Sequence, residues 1–195
     1  PTLNGLNIEL WRTNGSSNYM AYEINRGQQQ LPQNNFVNMP SQPRNFFKLQ
    51  SKIYFIATNE GKENLYSLNE DFTFNNGKSN NQWNEGDNWA GQIVPFESDD
   101  ALIPAGKTPE INGNASVKNI SVSSPLNLSA GNLNIAGNLN LGAKITLNGN
   151  NLNLKGSSSQ ITNGNSTNYI VTNGTGSVNV ENLNSARGTV NLPIG

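Results

Sequence analysis

The sequence predicts an all-β chain in which a three-faced β-helix, a β-solenoid, follows an antiparallel β-repeat module. Three observations carry that prediction. About one residue in five is Asn, while Ala, Glu and Lys are scarce, a composition that disfavours helices. From Ser124 onward the apolar residues come in pairs two apart, which is the period of a strand. The pairs recur at steps of about six or seven residues, and three steps make about 19, the size of one three-faced coil.

Composition also bounds function. The 195 residues, 34% hydrophobic and 13% charged, are enough for one large domain or two small ones around a thin core. Net charge is −1 and the 12 basic residues are scattered, so no electrostatic footprint for nucleic acid or an anionic membrane is present. Cys and His are both absent. That removes disulfides, the usual structural zinc sites, Ser-His-Asp and Cys-His nucleophile systems and His-based metal catalysis. No apolar run reaches the roughly 18 residues of a membrane helix, and no charged-then-apolar leader opens the chain. With Pro1 where an initiator Met would stand, the expectation is an interior piece or processed form of something longer.

Residues 1–70 are expected to form one β-module. "NIELWRTNGS" at 7–16 is matched about 55 residues later by "KENLYSLNED" at 62–71, with Glu9-Leu10-Trp11-Arg12 over Asn64-Leu65-Tyr66-Ser67. The segment 27–45, with three prolines, reads as a long loop, a mobile insertion with a binding surface as the competing role. These residues, with "KLQSKIYFIATNEG" at 48–61, resemble bacterial repeats of the Glu-Leu-Trp-x-x-Asp-Gly-Thr type. The resemblance implies propeller-blade-like antiparallel strands. Here Asn14 stands where that pattern has Asp and Ser16 where it has Thr. Seventy residues also fall short of the roughly four blades a ring needs.

A polar, turn-rich stretch at 71–82 reads as a linker, and 83–113 as the entry segment of the solenoid. Trp83 and Trp89 would cover the open end of the first coil, which otherwise exposes apolar surface and unpaired backbone. The order Trp, Asn-Trp, Val-Pro, Asp-Asp, Ile-Pro-Ala-Gly in "QWNEGDNWAGQIVPFESDDALIPAGKTPEING" resembles the entry of large β-helical surface proteins of Bacteroidetes-type bacteria. "NYIVTNGTGSV" and "LPIG" resemble later segments of the same proteins.

Residues 114–195 are expected to be the β-helix itself, continuing past Gly195. At a 19-residue offset Leu133-Asn134-Ile135 falls over Leu152-Asn153-Leu154, and Leu126-Asn127-Leu128 over Ile145-Thr146-Leu147. Apolar residues then stack inward and Asn127, Asn134 and Asn153 stack outward as a structural ladder. Equivalent positions of successive coils lie about 4.8 Å apart, so each Asn amide reaches the one above and below. Asn at the corners also tolerates left-handed backbone. Farther on, Tyr169 with Val171, Val178 with Val180 and Val190 with Leu192 continue the alternation, and Asn163 and Asn173 mark hairpins or longer corners.

The chemistry left is carboxylate chemistry. Glu85, Asp87, Glu97, Asp99 and Asp100 are the densest acidic group. Asp87, Glu97, Asp99 and Asp100 are candidate calcium ligands, calcium being a hard cation that takes oxygen, and two carboxylates of the group are a candidate glycosidase-like acid and base. The competing role for Asp99 and Asp100 is structural, accepting backbone N–H groups where the first coil begins. Trp11 and Tyr66 are candidate glycan contacts, with core packing as their competing role.

The leading expectation is a non-enzymatic structural or adhesive segment of a large bacterial cell-surface or secreted protein, with no cofactor beyond calcium. The resemblance implies export by the type IX secretion system, with the translocon as partner in transit and a surface glycan or another cell as lasting partner. The alternative is a carbohydrate-active β-helix, a lyase or glycosidase, using Glu85, Asp87, Asp99 and Asp100.

Overall fold

The computed structural model describes residues 10–13, 18–22, 24–25, 28–32, 35–50, 52–183 and 188–195. Glu9, Asn14 and Ser16 lie outside these. The chain divides into two compact units, Pro1–Glu70 and Asp71–Gly195. Among the described residues there is no α-helix, and hence none long and apolar enough to cross a membrane.

The first unit is antiparallel. β1 (Leu10–Thr13) pairs with β2 (Asn18–Tyr22), β3 (Gln28–Leu31) with β4 (Asn35–Asn38), and β5 (Arg44–Leu49), β6 (Lys52–Asn59) and β7 (Lys62–Asn69) form a three-stranded sheet. The β6–β7 connection is the two-residue loop Glu60-Gly61, both at positive φ (50° and 76°), the pairing whose twist matches that of the flanking strands. Cross-strand aromatics then set the packing. Phe55 stacks between Phe46 and Tyr66, with ring centroids 5.3 and 5.7 Å away, and is buried with Leu10, Ile24 and Ala57.

Two expectations for this unit are corrected. The segment 27–45 holds the β3–β4 hairpin rather than one long loop; Pro32, Pro40 and Pro43 all fall between strands, where a missing N–H costs no ladder bond. The two aligned motif copies also differ in phase. Leu10 is buried and Trp11 exposed, whereas Leu65 is exposed and Tyr66 half-buried, so a one-residue shift separates their strand alternation.

The second unit is a parallel β-helix. Its first coil is β8 (Asp100–Ile103), β9 (Glu110–Ile111) and β10 (Ala115–Val117), and its second β11 (Asn119–Val122), β12 (Leu126–Leu128) and β13 (Leu133–Ile135). The third is β14 (Leu139–Leu141), β15 (Ile145–Thr146) and β16 (Leu152–Leu154), and the fourth β17 (Ile161–Thr162), β18 (Ile170–Val171) and β19 (Val178–Val180). Three sheets of four strands result, in the orders β8-β11-β14-β17, β9-β12-β15-β18 and β10-β13-β16-β19. Leu133 pairs with Leu152, Asn134 with Asn153 and Leu126 with Ile145, as the offset requires. The spacing along the third sheet grows from 18 residues at Ser116–Asn134 to 19 at Asn134–Asn153 and 26 at Asn153–Asn179.

β8, β10–β14 and β16 each send two apolar side chains inward, and β15 does so together with Leu147 just past it. Leu126, Leu128, Leu133, Ile135, Leu139, Leu141, Ile145, Leu147, Leu152 and Leu154 are all fully buried, each burial stabilising by about 1.5–3 kcal/mol. β8 and β9 lie within the segment read as entry, and the first coil begins at Asp100, where Asp99 and Asp100 were expected to open it. On β18 of the fourth coil the buried residue is Ile170, not Tyr169 or Val171, and Asn163 and Asn173 sit in widened corners between parallel strands rather than in hairpins. Ile194 makes a further parallel bridge to Ile170.

Residues 71–82 are not a free linker. Phe74 N–H donates to Leu102 O at 2.9 Å and Leu102 N–H to Phe72 O at 3.0 Å; Trp83 N–H donates to Glu110 O at 2.9 Å and Glu110 N–H to Asn81 O at 2.7 Å. The edges of β8 and β9 are thereby paired, which removes the exposed ladder of an open end. Behind them Trp83, Trp89 and Phe74 are fully buried, with edge-on ring contacts at 4.7 Å (Trp83–Trp89) and 5.3 Å (Phe74–Trp89). Trp89 Nε1 donates to Trp83 O at 2.9 Å.

Candidate functional site

The outward Asn residues do two different jobs. On the third sheet, Asn153 Nδ2 donates to Asn134 Oδ1 at 2.9 Å and Asn179 Nδ2 to Asn153 Oδ1 at 2.8 Å, with Asn134 Nδ2 reaching Ser116 Oγ at 3.3 Å. This is the amide ladder along a face. At the corners the amide oxygen instead accepts from backbone of the next coil. Asn132 N–H donates to Asn114 Oδ1 at 2.9 Å, Asn151 N–H to Asn132 Oδ1 at 2.8 Å and Ser177 N–H to Asn151 Oδ1 at 3.1 Å. The next corner repeats it, Asn138 N–H donating to Asn119 Oδ1 at 2.7 Å and Gln160 N–H to Asn138 Oδ1 at 3.0 Å.

In "GNLNIAGNLNLG", therefore, Asn132 and Asn138 satisfy corner N–H groups where the backbone bends away from its ladder, and Asn134 and Asn140 line faces. Sequence reasoning missed the corner role because Asn just before a strand reads as an ordinary turn residue. Asn127 is a correction to the ladder. It stands outward between Glu110 and Thr146, and its side chain makes none of the described hydrogen bonds, since neither neighbour continues a column of amides.

Glu85, Asp87, Asp99 and Asp100 are each engaged locally. Asp87 Oδ2 is 2.9 Å from Lys78 Nζ, and Glu85 caps the 3-10 turn Gly86–Asn88, accepting from Asp87 N–H at 3.4 Å. Asp99 is buried and accepts from Phe96 N–H at 2.7 Å, while Asp100 Oδ1 accepts from Asn119 Nδ2 at 2.7 Å and Glu97 is exposed. Among the described residues no three carboxylates gather as ligands for a metal ion. Lys78 already balances Asp87, and Asp99 closes a turn against its own backbone. Asp99 and Asp100 thus serve the start of the first coil.

The candidate glycan residues part company. Trp11 is exposed on β1, and Tyr66 is half-buried against Phe55 and the small core of the first unit. Further exposed aromatic surface lies on the three-stranded sheet, where Phe47, which the sequence did not single out, stacks on Tyr54 at 5.2 Å and Leu49 and Leu65 are open. Arg44 pairs with Glu63 beside them. The alternation of 44–69 was visible, but which strand pairs with which decides where these side chains meet.

Compared with known proteins, the chain matches no family model, no curated protein and no solved structure.

Proposed function

We propose that this chain is a non-enzymatic structural and adhesive segment of a large bacterial cell-surface or secreted protein, a β-helical adhesin-like or gliding-associated filament exported to the outer membrane's external face by the type IX system. The observation that carries the reading is the stacking of Asn side chains on both faces and corners of the solenoid. Such columns supply rigidity and length, and they use polar groups for structure rather than for chemistry. The carboxylates support it, because each of Asp87, Asp99 and Asp100 is held by a neighbour instead of facing a second acid across a cleft. General acid–base work needs two groups in defined mutual geometry. Trp11 and the Phe47–Tyr54 pair are the surfaces offered to a glycan or another cell.

Incubation with a panel of acidic and neutral polysaccharides, with and without calcium, tests this. Binding without turnover is the expected result. Turnover abolished by Asp99→Asn or Glu85→Gln would establish the lyase or glycosidase reading instead. A melting shift with calcium and no turnover would add a structural ion to the filament.

A further inference from the structure

Asn followed by Gly is the sequence most open to spontaneous loss of the side-chain amide, because Gly places no Cβ in the path of its own attacking nitrogen. Five such pairs lie among the described residues: Asn76-Gly77, Asn112-Gly113, Asn148-Gly149, Asn163-Gly164 and Asn173-Gly174. The reaction needs two freedoms. The Gly N–H must be available to lose its proton, and the Asn side chain must be free to turn its Cγ toward that nitrogen.

The hydrogen bonds of the solenoid distribute those freedoms unequally. Asn76 exchanges bonds with Asn81 at 2.8 and 2.9 Å, and Gly77 N–H donates to Asn75 Oδ1 at 3.0 Å. Asn148 Oδ1 accepts from Asn173 Nδ2 at 2.7 Å, and Gly149 N–H donates to Asn173 O at 3.0 Å. Both pairs are held at both points. Asn163 is held by its side chain alone, donating to Asn140 at 2.6 Å, and Asn173 likewise through Asn148. Asn112 is exposed, and neither its amide nor the Gly113 N–H makes any of the described hydrogen bonds.

The reason lies in the column. Asn112, Ser129, Asn148 and Asn173 occupy the same corner in successive coils, as the pairing of Ile111 with Leu128 and of Ile145 with Leu126 and Ile170 fixes. Asn148 and Asn173 hold each other. Asn112 faces Ser129, whose hydroxyl donates to Ile111 O at 3.1 Å and has no amide to offer.

We propose that Asn112 is a site of self-catalysed deamidation, and that the amide columns protect the other Asn-Gly pairs. Gly113 N gives up its proton and bonds to Asn112 Cγ; the Cγ–Nδ2 bond breaks and Nδ2 leaves as ammonia, taking the proton. Water then opens the five-membered imide at either carbonyl, giving Asp or isoaspartate, with no change of oxidation state. Either product adds a negative charge near Glu110, and isoaspartate also lengthens the backbone between β9 and β10 by one carbon.

Peptide mapping by mass spectrometry after incubating the full chain in mildly alkaline water labelled with heavy oxygen tests the ranking. With about fivefold in rate for each of the two points that is held, the Asn side chain and the Gly N–H, Asn112 should convert on the order of 25-fold faster than Asn148 or Asn76, with Asn163 and Asn173 between. Ser129→Asn, which sets an amide beside Asn112, should slow that site several-fold. Equal rates at all five pairs, or conversion of Asn148 as fast as Asn112, would overturn the proposal. Should Ser129→Asn not fold, the ranking in the unaltered chain decides alone.

Discussion

The two units close their surfaces in opposite ways. In the solenoid the three-residue strands of the second and third coils turn two apolar residues inward and one outward, and on the third sheet the outward residue is satisfied by its own column, as Asn134, Asn153 and Asn179 are. In the antiparallel sheet β5–β7, stability comes from side chains across the strands, and Phe46, Phe47, Leu49 and Leu65 remain more than half exposed. Parallel coils bring like residues to like positions, so one amide suffices if it repeats. Antiparallel strands bring unlike residues together, and the unit of stabilisation is the pair. A coil is therefore sensitive to what breaks its period, and the sheet to what breaks a partnership.

The largest effect should come from carrying one change into both units. Leu152→Asp places an unpaired charge in a fully buried row and is expected to cost more than about 4 kcal/mol, unfolding the solenoid. Leu65→Asp, on a residue 65% exposed, should change stability by less than about 0.5 kcal/mol. Denaturant titration of both variants checks it, and similar losses would erase the contrast.

Next in size is the entry cap. Trp89→Ala removes a fully buried ring and should cost about 3–5 kcal/mol in thermal or chemical melting. Glycan binding should fall only in proportion to unfolding. A variant that kept its melting temperature and lost binding would place a ligand at the cap.

How much of this was legible follows the same division. The 19-residue offset gave the inward Leu and Ile residues and the Asn134–Asn153 contact directly, because a parallel register repeats what the sequence repeats. It failed where the coil widens: the inserted residues of the fourth coil shifted the buried position to Ile170. The capping of corner N–H groups was hidden, since it joins a side chain to backbone of another coil. In the first unit the antiparallel strands of the two motif copies were foreseen, but the β3–β4 hairpin inside 27–45 and the phase of Leu10 against Leu65 were not, for a Pro-rich stretch reads as loop and two short copies carry no register. The acidic group looked dense along the chain because sequence distance says nothing about the turn that separates Asp87 from Asp99.

A smaller effect separates the two kinds of Asn. Asn132→Ala removes the acceptor for Asn151 N–H and leaves a half-buried backbone donor unpaired, worth about 1–2 kcal/mol. Asn153→Thr keeps a polar residue on a face open to water and should cost less than about 1 kcal/mol. Were the face variant the more damaging, the ladder rather than the corner would be the main support of the coil.

The smallest effect lies inside the cap, between its two tryptophans. Trp83 Nε1 is buried with no hydrogen-bond partner, while Trp89 Nε1 donates to Trp83 O at 2.9 Å. Each ring is fully buried, so Trp→Phe removes the same atoms at both positions and leaves a similar void. What differs is the polar group. At Trp83 the substitution deletes a donor that is already unsatisfied, which offsets part of the packing loss; at Trp89 it deletes a bond and strands the Trp83 carbonyl. Trp89→Phe should therefore be less stable than Trp83→Phe by about 1 kcal/mol, a difference readable as separate midpoints in urea. Equal midpoints would mean that Trp83 Nε1 is bonded in solution, through a buried water, and that the cap is wetter than its packing shows.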